Sequence, residues 1–378
     1  MNPELDNVRK QLNKAKCPED VFGKLSSADP MKAGKKLYHQ FAKVCHADRY
    51  TDPKDKKVAD GAFQLLAKWW GQAEAKIEAK TYGDRKVAVV ATAPEAVTIH
   101  SKKRIYVVGE PLSLTGDLAD VLKAQYSEDG DTHEAYVKVV RNPKNNDLMT
   151  AERTSIEKLA KDKDMEFRIP RLLESITVAD VANKKRVANV FIPAEGLTSM
   201  NHILDAYKMA PLDPRDVAWM GSRTWTTLGL VHASGIVHGA FTPDHALICA
   251  ENHGLVLVDW CYSVPIGEPI KAISKKWIAL YPPEVLKSMG ATPAVDIYMA
   301  AFTLSILLGA ATNVPHNPVF PAGVPIEMQR FLRSCLIPAP HRRPNDALEL
   351  ATNWKKMLEK NFGKPKFRIF NVPALAGA

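Results

Sequence analysis

Leu230-Val-His-Ala-Ser-Gly-Ile-Val-His-Gly-Ala-Phe-Thr-Pro-Asp-His-Ala-Leu-Ile248 is the stretch on which the fold turns. A helix is expected to end near Gly235, because glycine tolerates the left-handed geometry of a helix C-terminus. Residues 238–245 then read as a turn, and Ala246–Cys249 as a short strand. His253-Gly254 marks a hairpin turn and residues 255–258 the returning strand. Asp259 follows at once, at a strand end.

Working outward, the chain before this stretch is β-rich and the chain after it helical. Residues 86–92 and 97–108 carry strand patterns, which recur as far as Arg141 and include Ala-Tyr-Val-Lys-Val-Val at 135–140. Residues 147–161 have helical periodicity. Beyond Met200 the pattern is mainly helix with proline-marked loops. The expected fold class is α+β, with the β-rich and α-rich parts as two lobes of one larger domain.

These pieces resemble the protein-kinase family. His238-Gly-Ala-Phe-Thr-Pro-Asp-His245 sits where the family has H-R-D-L-x-x-x-N, and Asp259-Trp-Cys where it has D-F-G. Tyr136-Val-Lys138-Val matches the V-A-I-K strand, and Glu152 lies on the helix that follows. Pro282-Pro-Glu284 looks like A-P-E, Asp296 matches the buried aspartate of the next helix, and Arg343 falls where an arginine pairs with that glutamate. The resemblance implies a bilobal domain over residues 104–362. It makes Lys138, Glu152, Asp259 and Gly116 the nucleotide-binding candidates, with ATP and magnesium as weakly held cofactors and Asp259 as the metal ligand. Glu284, Arg343 and Asp296 are expected to be structural.

The same alignment shows the chemistry broken. Ala240 stands at the aspartate that accepts the substrate hydroxyl proton, a loss worth about 10²–10⁴ in rate. His245 replaces the second metal-binding asparagine and is a poor ligand for magnesium, which prefers hard oxygen. Thr242 replaces a lysine, and Leu114, Gly116 and Ala119 stand where three glycines are expected. His238 and Trp260 read as core. The leading expectation is therefore an inactive kinase-like adaptor. The alternatives are a divergent kinase or nucleotide transferase using Asp259 with Asp244 or His245 as base, and a nucleic-acid-binding accessory protein.

The first 85 residues are a separate module. Seventeen lysines and arginines against twelve acids give it +5 of the net +9. Asp29-Pro30 caps a helix running to Cys45, with Leu37, Phe41, Val44 and Cys45 as its buried stripe and Lys32, Lys35, Lys36 and Lys43 as a basic flank. Residues 46–55 read as a polar loop and 58–80 as a second long helix, making an αα-hairpin. This module resembles the J-domain of DnaJ-type co-chaperones, whose second helix ends in H-P-D. Here the triplet is His46-Ala47-Asp48. The resemblance implies a DnaK-class chaperone as partner, docked on the four lysines, with His46 and Asp48 as the triggering contacts. Ala47 in place of proline removes a backbone constraint on that loop.

Composition bounds the rest. With 378 residues, 46% hydrophobic and 25% charged, the chain is an ordinary globular one. No apolar run approaches the roughly 20 residues of a membrane helix, and residues 1–30 lack the apolar core of a secretory signal. Five scattered cysteines without a CxxC pair point to a reducing cytoplasm. The charge of +9 permits a nucleic-acid partner, but no groove-reading or aromatic–basic motif supports one. Residues 86–103 are expected to be a β-rich connector. Residues 363–378 form a tail, basic then apolar, expected to dock on the domain.

Overall fold

Alternation along residues 135–140 is where pattern becomes architecture. In the computed structural model, Ala135, Val137 and Val139 face one apolar cluster, while Tyr136, Lys138 and Val140 face the other side. The structure describes residues 2–15, 17–25, 29–78, 82–83, 97–113, 118–179, 184–314 and 316–373. The chain divides into two units, 1–95 and 96–378. The expected strand at 86–92 lies outside the described residues, as does part of the expected connector.

The first unit is helical: α1 (Pro3–Lys14), α2 (Pro18–Phe22), α3 (Pro30–Cys45) and α4 (Pro53–Glu78). Asp29 caps α3, accepting from the Lys32 amide at 2.9 Å, with proline in the first turn. Its core joins Leu5 and Leu12 of α1 to Phe22, Cys45, Leu66, Trp69 and Trp70. Trp69 is buried with its indole N–H satisfied, donating to the Leu12 carbonyl at 3.1 Å. Of the expected apolar stripe, Cys45 is fully buried and Leu37, Phe41 and Val44 partly so. The helix pair is thus a hairpin with α1 laid across it.

The second unit is mixed α/β, built on a curled antiparallel sheet. Its strands are β1 (Val97–His100), β2 (Ile105–Ser113), β3 (Ala119–Glu128), β4 (Asp131–Val140), β5 (Arg171–Ala179) and β6 (Lys185–Ile192), in the order β1-β2-β3-β4-β6-β5. β1 pairs with β2, so residues 97–100 belong to this sheet. Helix α5 (Asn146–Leu159) packs against β5 and β6, burying Leu148, Met149, Ile156 and Leu159. After β7 (Leu197–Ser199) come α6 (Met200–Ala206), α7 (Pro214–Ala233) and β8 (Ile236–Val237). The hairpin β9 (Ala246–Cys249) and β10 (Gly254–Leu257) follows, then β11 (Val264–Pro265), α8 (Pro283–Leu286), α9 (Pro293–Leu307), α10 (Ile326–Cys335) and α11 (Ala347–Phe362).

Helix α9 is buried on nearly every side and forms the centre of this part. Beside it α7 packs closely on α11, because Gly221 leaves room for Trp354. A β-carbon there would lie 2.6 Å from the indole. Among the described residues no helix is long and apolar enough to cross a membrane.

Candidate functional site

Register sets the first contact. Lys138 of β4 lies opposite Asn189 of β6, so the two side chains share a face, the one turned toward α5. Asn189 is fully buried and donates to the Met149 carbonyl at 3.0 Å and to Glu152 Oε2 at 2.9 Å. The remaining oxygen of Glu152 accepts from Lys138 Nζ at 2.6 Å. Lys138 also pairs with Asp259 Oδ1 and lies 3.6 Å from Cys261 Sγ. Burial alone would depress the lysine, but the negative groups around it, Asp259 foremost, hold its pKa well above the usual range.

Asp259 reaches the cleft because its own backbone is left-handed (φ 65°, ψ 49°). Its second oxygen, Oδ2, lies 2.9 Å from His245 Nε2. The other ring nitrogen, Nδ1, is 2.9 Å from the Ala240 carbonyl. With both ring nitrogens against acceptors, the surroundings favour the imidazolium, the form in which both donate. Burial opposes that charge, yet the Asp259 carboxylate outweighs it and raises the His245 pKa. Against its own desolvation, Asp259 is held well below the carboxylate range by Lys138 and His245.

Lys138, Glu152, Asp259 and His245 form one connected network of ionisable side chains. Each oxygen of Asp259 has a partner, Lys138 on one and His245 on the other, so a magnesium ion there would have to compete with both. Glu152, Asp259 and Cys261 do bring three ligand atoms within 4.8 Å of one another. Lys138 Nζ touches all three, so the cation at that position is the ammonium itself. Burial pushes the Cys261 thiol well up, which keeps it protonated and a weak ligand.

Around the network the loop after β8 is held rigidly. Asp296 accepts from the His238 amide and the Gly239 amide, each at 2.8 Å, and lies 3.0 Å from His232 Nε2. Gly239 has φ 76°, and a β-carbon there would lie 2.7 Å from the Tyr262 carbonyl, so arginine is not accommodated in this geometry. His238 is fully buried, with Nε2 3.0 Å from the Val258 carbonyl. Burial drops its pKa to about 4, so the neutral ring ties this loop to the end of β10. Ala240 is fully buried, its methyl among Met149, Cys261 and Tyr262. Trp260 is core, as expected.

Neither alternative base is free to act. Asp244 accepts from Lys276 Nζ at 2.7 Å and from the Trp277 indole at 2.6 Å. His245 is engaged at both ring nitrogens, by Asp259 and by the Ala240 carbonyl. Glu284 and Arg343 form a buried pair at 2.6 Å, with Arg343 also donating to the carbonyls of Ala294 and Ile337. The network opens on a cleft of about 1580 Å³ between the sheet and the helical part, lined by Leu118, Ala119, Tyr136, Leu247 and Val258 among others. Leu114 and Gly116 lie outside the described residues.

In the first unit Lys32, Lys35, Lys36 and Lys43 are all exposed along α3. His46 is exposed and sits edge-on to Phe63 at 6.5 Å between ring centres. Its backbone is extended (φ −75°, ψ 122°), the conformation a following proline would impose. A 3₁₀ turn over Ala47–Arg49, the Arg49–Glu4 pair at 2.9 Å and a hydrogen bond from Tyr50 Oη to the Val44 carbonyl hold the loop. The side chain of Asp48 lies outside the described residues.

Two parts of the site escaped the sequence reading. Asn189 has a signal, a single amide inside the apolar run Val-Ala-Asn-Val-Phe-Ile. Cys261 has none, because a cysteine two residues past an aspartate carries no pattern. Comparison with protein-family models and with the curated proteins found no match to this chain.

Proposed function

We propose that residues 104–362 are a kinase-like domain that has given up phosphoryl transfer and serves as a binding scaffold, and that residues 1–85 are a J-like module for a protein partner of the DnaK class. The observation that carries the first part is the closure of Asp259. A phosphoryl-transfer centre needs a carboxylate free for magnesium and a base near the attacking hydroxyl. Here the carboxylate is shared between Lys138 and His245, and a buried methyl stands at the base position. Nucleotide can enter the cleft only as a ligand, and its phosphates would have to compete with Glu152 and Asp259 for Lys138.

For the helical module, support comes from four exposed lysines on one helix next to an exposed histidine in a held loop. Such a face is drawn to an acidic surface by charge. The test of the scaffold is incubation of the full chain with labelled ATP, magnesium and generic acceptors. No incorporation is expected, either in the native chain or in Ala240→Asp. Label transfer that disappears in Asp259→Ala would overturn the reading. For the module, the full chain is expected to raise the ATPase rate of a DnaK-class chaperone, and His46→Gln to lose most of that rise.

A further inference from the structure

The segment after α11 runs over the helical part without secondary structure, and its side chains alternate. Arg368 and Phe370 turn inward, while Ile369 is 80% exposed. Phe370 is 5% exposed, stacked on Tyr207 and edge-on to Trp219. Arg368 donates to Asp216 Oδ1 at 3.0 Å and to Asp213 Oδ2 at 3.1 Å. At the tip of the β9–β10 hairpin, His253 is sandwiched between Trp219, at 4.0 Å and 2°, and Phe367, at 4.4 Å and 20°. Its Nε2 lies 2.8 Å from the Arg368 carbonyl. Tyr207 donates its hydroxyl to the Asn371 carbonyl at 3.0 Å.

We propose that the groove between α6, α7 and the tip of the β9–β10 hairpin is a docking site for an extended peptide bearing arginine two residues before an aromatic ring, that residues 367–371 are its resident occupant, and that a partner protein's segment of the same chemistry displaces them. The groove, unlike a plain surface, has built-in demands. Asp216 is a buried carboxylate whose ion-pair partner is Arg368, so an emptied groove leaves a desolvated charge unpaired. The aromatic slot asks for a ring, and the side chains of His253 and Tyr207 reach for main-chain carbonyls, which any extended peptide supplies. The resident lies at the surface: of residues 367–370 only Phe370 is buried, and Phe367 is 65% exposed.

A second copy of the chain is a poor competitor, because its identical tail has no advantage over a tethered one at millimolar effective concentration. A partner with additional contacts elsewhere does have one. Release matters to the cleft, since the hairpin that His253 terminates carries His245 and Asp259 at its other end. The Val258 amide donates to the His245 carbonyl at 3.0 Å there. The inference stands independently of whether catalysis has been lost.

The experiment uses the full chain, native and with Phe370→Ala, and a fluorescent peptide of the sequence 364–373. The peptide is expected to bind the variant at least tenfold more tightly than the native chain, whose groove is filled. A peptide with glutamate in place of Arg368 is expected not to bind. Amide exchange over residues 246–257 is expected to quicken in the variant and to return to native protection when peptide saturates it. If Phe370→Ala does not fold, the full-chain variant Arg368→Glu replaces it, with the same expectations. Equal binding to native chain and variant, or none to a folded variant, overturns the proposal. Concentration-dependent dimers of the native chain that the peptide dissolves would assign the groove to tail exchange between copies, and overturn the partner reading.

Discussion

Two of the buried ion-pair systems among the described residues of the second unit differ in what lies beside them. Arg343 and Glu284 are sealed in the helical part, with side chains 0% and 4% exposed, and the arginine is further bonded to backbone carbonyls. Lys138 and Glu152 are nearly as buried, but their third member, Asp259, is 30% exposed and faces a cleft. The first system fixes a fold. The second holds opposite charges at the edge of a space that a ligand can enter. Burial of charge therefore does not by itself mark a functional site; access does.

The hardest test of this contrast is Arg343→Ala. It strands a carboxylate with no water to replace its partner, and the expected cost is about 3–5 kcal/mol, read as a large fall in melting temperature. Little or no fall would mean that the pair is not sealed. Lys138→Ala strands Glu152, but that carboxylate keeps the Asn189 amide at 2.9 Å while Asp259 can turn to solvent and keeps His245, so the expected cost is smaller, about 2–3 kcal/mol. If Lys138→Ala proved the more damaging of the two, the division between structural and cleft-facing pairs would fail.

The pH dependence sharpens the same contrast. The folded pKa of His245 lies above its unfolded value of about 6.5, so its contribution is complete below that pH. It is lost as pH rises through the folded value, with a slope of at most about 1.4 kcal/mol per pH unit. His238 runs the other way. With a folded pKa of about 4, it costs stability as pH falls from about 6.5 toward 4. Melting curves of His245→Asn and the native chain, run from about pH 4 to well above 6.5, are expected to show the first dependence removed and the second left in place. The smallest effect is expected at the exposed Arg49–Glu4 pair, where Arg49→Ala should change stability by about 0.2–1 kcal/mol. A larger loss there would show that the pair holds the His46 loop more firmly than a surface contact does.

Local elements were legible because their causes are local. Asp29-Pro30 announced the start of α3, and the strand Ala246–Cys249 lies at its expected residues. Helix α4 begins at Pro53, five residues before the expected start, because proline is welcome in a helix's first turn. The loop at His46 is also more constrained than its sequence implies. A 3₁₀ turn and contacts to Glu4 and Val44 do the work proline would have done, and the partner Glu4 lies 45 residues away. Docking of the tail was expected, but not its seat.

By itself the sequence determined the absence of a carboxylate at Ala240, the helical and strand periods, and the separate basic charge of the first 85 residues. These are properties of residue type and short spacing, which no folding event can alter. Only tertiary structure decided that Asp259 would be closed from both sides, by a lysine 121 residues away and by a histidine on the neighbouring strand's approach. Only it decided that Arg368 would meet Asp216 across 152 residues. The physical reason is that a charge's state depends on which charges and how much water surround it. Those neighbours are chosen when the chain folds back on itself.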